Sequence, residues 1–189
     1  MTISKRIFDL LASSGLLLFL SLPMLIISLM ILFSSKGPVL FWSNRIGLNN
    51  KVFRMPKFRT MRVSAPIMAT HLIKNSEELL TPIGSFLRRF SLDEFPQLYS
   101  ILKGDMSFVG PRPALFNQYD LIEMREIKGI NKLMPGLTGW AQVNGRDNIS
   151  LLDKVELDSE YLQRQSFIFD IKIIKLTILK VIKRDDVSH

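Results

Sequence analysis

The 189-residue chain is long enough for one domain with a real core and short of two ordinary ones. It has no cysteine, which excludes a disulfide framework, a thiolate metal site and a cysteine nucleophile, and suits a reducing cytosolic face. The net charge of +8 is local, with ten Lys/Arg against the single acid Asp9 in residues 1–76; it points to anionic lipid headgroups, and over nucleic acid, the rival partner of a basic chain, membrane is favoured by the lack of a nucleic-acid motif and by a lipid-length apolar segment.

Residues 7–33 are almost wholly apolar, broken by Asp9, by Ser13, Ser14 and Gly15, and by Ser21-Leu22-Pro23. As a helix this stretch is long enough to cover about 30 Å of hydrocarbon. Pro23, near its middle, deletes a backbone hydrogen bond and kinks it. Basic residues flank both ends, Lys5 and Arg6 before it and a run from Lys36 to Arg62 after it. The positive-inside rule marks both flanks as cytoplasmic, which a re-entrant segment bending at Pro23 satisfies. We therefore expect a re-entrant, monotopic anchor over residues 1–36, the alternative being a kinked single-pass anchor. A secretory signal fits less well, because the apolar run is too long and no small-x-small cleavage site follows it.

Residues 39–46 and 51–60 are β-rich runs separated by Gly47-Leu48-Asn49-Asn50 and predict a short hairpin. Residues 64–80, with Pro66 and mixed polarity, predict a loop with a short helix, and Thr81-Pro82 opens a helix through about Phe90. The closing stretch 167–182 is apolar apart from Asp170, Lys172, Lys175, Thr177 and Lys180. With Lys183, its four lysines fall within an arc of about 140° on a helical wheel. That predicts a helix lying in the membrane surface, or alternatively a core helix with one solvated face.

Three motifs carry candidate chemistry. In Ser91-Leu92-Asp93-Glu94-Phe95-Pro96, Ser91 and Glu94 have capping-box spacing, but Pro96 would then leave the Leu92 carbonyl unpartnered. Alternatively Asp93 and Glu94 lie at or just before a helix N-terminus, where the dipole keeps carboxylates ionised. Adjacent residues point about 100° apart, so one acid could attack phosphorus while the other holds a metal. Gly110-Pro111-Arg112-Pro113 presents a guanidinium from a stiff loop, suited to a phosphate, or else is a rigid surface turn. The stretch 135–147 has three glycines with Trp140 and Arg146, which could approach a base or a phosphate; alone it is weak evidence and matches no P-loop or dinucleotide pattern.

In order, Lys5-Arg6-Ile7-Phe8-Asp9, Lys57-Phe58-Arg59-Thr60-Met61, Ser91-Leu92-Asp93-Glu94, Gly104-Asp105-Met106-Ser107, Gly110-Pro111-Arg112-Pro113 and 139–146 resemble the small monotopic phosphoglycosyl transferases of the bacterial sugar transferase family. The resemblance covers nearly the whole chain. It implies a ping-pong reaction at the cytoplasmic face of the bacterial inner membrane. In that reaction Asp93 attacks the β-phosphate of a UDP-sugar, UMP leaves, and a polyprenol (undecaprenyl) phosphate takes the phosphosugar. It further implies Glu94 as the Mg²⁺ ligand, Lys57, Arg59, Arg88 and Arg112 on phosphates, and Asn144 and Arg146 at the nucleotide end.

The expected fold is mixed α/β, mostly helical with a small β-hairpin, carrying an N-terminal re-entrant membrane helix and interfacial amphipathic helices. Residues 1–36 form the anchor and 37–189 the membrane-associated catalytic domain; a homodimer is left open. The alternative function is a non-catalytic membrane-surface scaffold whose acids cap helices.

Overall fold

Thr2 opens helix α1 (Ile3–Phe19) by accepting a hydrogen bond from the Lys5 amide on its hydroxyl at 3.3 Å. A computed structural model describes residues 2–66, 76–145 and 149–183 of the chain. The amphipathicity of α1 is inverted: Lys5, Asp9 and Ser13, spaced four apart, are its buried residues, while Ile3, Ile7, Leu11 and Leu18 are exposed. Lys5 Nζ donates to Val109 O, Tyr161 OH and Asp170 Oδ2, Arg6 donates to the Ile101 and Leu102 carbonyls, and Asp9 accepts from the Phe108 amide at 3.1 Å.

Helix α2 (Ser21–Ser34) follows after a bend of 59°. The break lies at Leu20 and not at Pro23, which sits in the first turn of α2. This corrects the expected position for a steric reason, since a proline ring clashes with the carbonyl four residues earlier, here Phe19. Ser21 Oγ donates to the Leu18 carbonyl at 2.7 Å, giving a carbonyl at the break a partner. Among the described residues no single helix is long and apolar enough to cross a membrane; the bent pair passes by length and composition together. Leu22, Leu25, Leu29 and Phe33 of α2 are exposed, so the two helices share an uncovered apolar surface.

The predicted hairpin forms: β1 (Leu40–Ile46) pairs antiparallel with β2 (Val52–Phe58), from Leu40↔Phe58 to Ile46↔Val52. Residues 67–75 of the expected loop lie outside the described residues, and the described part includes a 3₁₀ turn over Ser76–Leu79. Helix α3 (Gly84–Arg89) starts two residues past the expected Thr81-Pro82, and α4 (Gln97–Lys103) ends at Gly104 in the left-handed conformation. Strand β3 (Ser107–Val109) pairs in parallel with β4 (Gly136–Thr138), with α5 (Tyr119–Ile127) between them and α6 (Trp140–Val143), α7 (Leu151–Arg164) and α8 (Phe167–Lys183) after. The parallel pair was not expected. Three-residue strands are too short to show an alternating pattern.

Buried side chains form three groups. Val109, Leu121, Val155, Tyr161, Phe169 and Ile173 centre the largest, which joins α5, α7 and α8. Phe53, Met55, Leu98, Ile101 and Met106 join the hairpin to α4. Ile27 and Ile31 of α2 meet Phe58 and Leu87, with Leu92 and Phe95 packed against them. Helix α8 buries Phe169, Asp170 and Ile173 and exposes Ile168, Ile171, Ile178 and Leu179 with Lys172 and Lys175.

A Cβ on Gly84 would lie 2.1 Å from the Thr60 carbonyl oxygen, a backbone atom that cannot swing aside. Gly84→Ala is therefore expected to destabilise the protein by about 1–3 kcal/mol through overpacking, read as a lowered thermal midpoint. An unchanged midpoint would mean that α3 can move off Thr60 freely.

Candidate active site

Asp93 and Glu94 occupy a 3₁₀ turn (Leu92–Glu94) between α3 and α4. Ser91, just before it, is left-handed (φ 54°, ψ 24°) and its side chain caps nothing, so the capping-box geometry is not adopted. That conformation is costly for a residue other than glycine and is concentrated at functional sites. It also removes the structural role on which the scaffold reading of these acids rested.

The two acids share one cation and differ in environment. Lys57 Nζ, from the end of β2, lies 2.8 Å from Glu94 Oε1 and 3.8 Å from Asp93 Oδ2. Arg112 donates to the same Glu94 oxygen at 3.0 Å. Burial opposes the Glu94 charge, but Lys57 and Arg112 together outweigh it and hold this carboxyl well below its ordinary range. Asp93 is 8% exposed. Burial pushes its carboxyl up, Lys57 pulls it down, and the Glu94 charge pushes it up again. The result is one firmly ionised carboxylate beside one whose charge is poorly solvated and closer to its proton. Groups of that second kind are reactive when ionised.

Arg88, in the last turn of α3, donates from Nε to Thr60 Oγ1 at 3.0 Å, and its charge bears on Asp93. Arg112 is reached through a loop whose bounds are set by close backbone approach, since a Cβ on Gly110 would meet Met134 O at 2.1 Å. Arg45, on β1, donates to the Pro113 carbonyl at 3.1 Å; burial and then the like charge of Arg112 pull it down to about 10.

The structure thus brings together Asp93, Glu94, Lys57, Arg88 and Arg112. Of the remaining candidates, Arg59 and Asn144 are bonded to backbone carbonyls of their own surroundings. Arg59 is 4% exposed and donates to Ser35 O and Ser35 Oγ at 2.9 Å each, and to Lys36 O. Its guanidinium ties down the Ser35-Lys36 segment that leaves the C-terminal end of α2. Asn144 is exposed and donates to the Trp140 carbonyl at 2.7 Å, at the end of α6. Arg146 lies outside the described residues. Trp140 is engaged with its own neighbours, donating from Nε1 to Glu160 at 2.7 Å with Arg164 over its ring. Arg45, Arg125 and Asp158 escaped the sequence reading, because no local spacing marks partners that lie 33 and 68 residues apart.

Leu92 and Phe95, on either side of the acids, pack against the cluster formed by Phe58 of β2, Leu87 of α3 and Ile27 and Ile31 of α2. One apolar cluster thus links the turn that carries the carboxylate pair to the bent helix pair.

Comparison with known proteins agrees in family. The model of the bacterial sugar transferase family matches residues 1–184. Over 187 residues the chain is 40% identical to a Bacillus subtilis protein named uncharacterized sugar transferase EpsL, covering 99% of this chain and 91% of that one. It is 36% identical over 191 residues to the exopolysaccharide production protein ExoY of Rhizobium meliloti, covering 93% and 84% respectively. It is 40% identical over 185 residues to the UDP-glucose:undecaprenyl-phosphate glucose-1-phosphate transferase of Escherichia coli K12, spanning 93% of this chain but 39% of that longer protein. With a family match from its first residue to 184 and such identity to full-length relatives, the chain belongs to the bacterial sugar transferase family.

Proposed function

We propose that the chain moves a sugar 1-phosphate from a UDP-sugar onto a polyprenol phosphate, undecaprenyl phosphate in bacteria, and releases UMP. One observation carries the reading: a carboxylate pair under Lys57 and Arg112, whose flanking Leu92 and Phe95 pack against the cluster that Ile27 and Ile31 of the apolar helix pair share with Phe58 and Leu87. Relatives named as UDP-glucose:undecaprenyl-phosphate glucose-1-phosphate transferases support the substrate classes.

The reaction runs in two displacements. In the first, an ionised Asp93 oxygen attacks the β-phosphorus, the bond from that phosphorus to the bridging oxygen breaks, and UMP leaves. Asp93 then carries the phosphosugar as an acyl phosphate. In the second, a phosphate oxygen of the polyprenol carrier attacks the same phosphorus and the aspartyl oxygen departs, leaving a lipid diphosphate sugar. Lys57, Arg88 and Arg112 bring positive charge to the phosphoryl oxygens as charge shifts in both steps.

Glu94 is the proposed Mg²⁺ ligand. Among the described residues no group of three or more His, Asp or Glu could cage a metal. Asp93 and Glu94 instead fit an ion that takes one or two carboxylates and draws its other ligands from phosphate and water, as Mg²⁺ does. When bound, Mg²⁺ supplies charge neutralisation at the diphosphate.

The proposed location is the cytoplasmic face of the bacterial inner membrane, with α1 and α2 as a re-entrant anchor. At 1.5 Å per residue the arms are about 25 and 21 Å long, and with the observed bend of 59° their apex dips about 11 Å when both ends lie at one surface. That is within one leaflet of a hydrocarbon core about 30 Å thick. Because the chain has no cysteine, Thr2→Cys and Lys36→Cys are clean reporters. In sealed inverted vesicles both are expected to react with a membrane-impermeant maleimide from the outside; reaction at only one of them establishes a span.

The chemistry is tested by intact mass spectrometry after mixing the protein with UDP-sugars and Mg²⁺ without lipid acceptor. A mass increase of one phosphosugar, with one UMP released per chain, supports two-step transfer. UMP release that requires the lipid acceptor establishes direct transfer in a ternary complex instead.

A further inference from the structure

Arg112 reaches Glu94 from a loop and not from a helix or strand, and its side chain is 40% exposed against 16% for Lys57. Its aim therefore depends on the backbone beneath it. Pro111 and Pro113 have no N–H, so the loop cannot brace itself through those two amides. Its carbonyls are held from outside instead: Pro111 O accepts from the Gly136 amide at 2.9 Å, Arg112 O from Arg125 at 2.8 Å, and Pro113 O from Arg45 at 3.1 Å. Behind the loop lies a cleft lined by Pro111, Pro113, Ile122, Ile130 and Leu133, so close packing alone does not back it.

Arg125 is unusual among these donors. It is 8% exposed on α5, and its Nε and second amino group both reach Asp158 Oδ2 of α7, at 3.0 and 2.6 Å. Asp158 is 1% exposed. A buried ion pair is seldom the cheapest way to stabilise a core, because desolvation offsets most of the attraction. Here the pair leaves one amino group pointing at the residue that contacts Glu94, and a planar five-donor guanidinium is the side chain able to do both.

We infer that Arg125, oriented by Asp158, is a positioning residue that sets Arg112 through its backbone carbonyl at the place where substrate phosphate binds. This rests on the phosphosugar-transfer reading given above. Neither residue belongs to the motifs singled out in the sequence, and neither touches the reacting atoms.

The test uses the full-length protein in detergent or nanodiscs, with UMP release from a UDP-sugar as readout. Arg125→Met alone would strand the Asp158 charge, so the informative variant is Arg125→Met/Asp158→Leu, which removes both charges together. It is expected to keep its thermal midpoint, to raise KM for the UDP-sugar, and to lose kcat/KM on the order of 10²-fold, the scale of a small misplacement of a binding group. In an Arg112→Ala background the same pair of changes should cost almost nothing further, since the group being positioned is gone. Unchanged KM and kcat/KM in the double variant, or a loss that adds in full to that of Arg112→Ala, overturns the inference. Should the double variant not fold, Arg125→Lys carries the same comparison, because a lysine keeps the charge but not the forked donor set. A wild-type protein that releases no UMP at all overturns the transferase reading itself, which is a different result from active wild type with insensitive Arg125 variants.

Discussion

Asp93→Asn is expected to leave the protein folded and membrane-bound while lowering UMP release on the order of 10⁴-fold or more, the scale seen when a catalytic group of a covalent mechanism is removed. The substitution keeps the shape of the side chain and deletes only its charge. That charge is the costly part, because burial pushes the Asp93 carboxyl up and Lys57 only partly compensates. Lys57 keeps its partner at 2.8 Å in Glu94, so no buried cation is stranded by the change. The thermal midpoint should therefore stay level or rise, the pattern expected where activity and stability trade against each other. The mass increase on mixing with UDP-sugar should vanish along with turnover. A variant that still gains a phosphosugar would remove Asp93 from the role of nucleophile, whatever its rate.

The largest expected loss of stability is at the other end of the chain. Lys5→Met takes away a buried ammonium that binds Asp170 and donates to Val109 O at 2.9 Å and Tyr161 OH at 3.3 Å. Among the described residues the Asp170 carboxylate then keeps only the Tyr161 hydroxyl, at 2.7 Å. Burial, and next the Asp170 charge, push that phenol well above its ordinary range, so it stays protonated as a donor. An uncompensated buried carboxylate costs about 3–5 kcal/mol, which for a chain of this length lowers the thermal midpoint by about 10 °C. Lys5→Met/Asp170→Leu should restore most of that loss. If the single variant melts with the wild type, Asp170 is reached by water and α1 is not pinned to α8 in solution.

This pair also bears on how the chain is divided. An anchor over residues 1–36 followed by a catalytic domain is a reasonable reading of hydropathy, yet Lys5, Arg6 and Asp9 of α1 bond to residues of β3, α4, α7 and α8. The first arm of the anchor is part of the catalytic core. Its two leading cations bond inside the protein, whereas Lys36, Lys51, Arg54 and Arg62 of the basic run are exposed.

Patterns that repeat within a few residues were legible in the amino-acid order alone: the apolar stretch of α1 and α2, the β1–β2 hairpin around its Asn-containing turn, the lysine-edged α8, and Asp93-Glu94 ahead of a proline. Each depends on local propensity or on an apolar run, and local forces act on neighbours in sequence. Tertiary structure decided what those residues meet. It put Arg59 on the Ser35 and Lys36 carbonyls just after α2, left Asn144 on the Trp140 carbonyl, and joined Lys57 to Glu94 across 37 residues and Arg125 to Asp158 across 33. An arginine looks the same in sequence whether its five donors face a phosphate or backbone carbonyls. Only the fold determines which acceptors come within 3 Å, and desolvation then makes that choice hard to reverse.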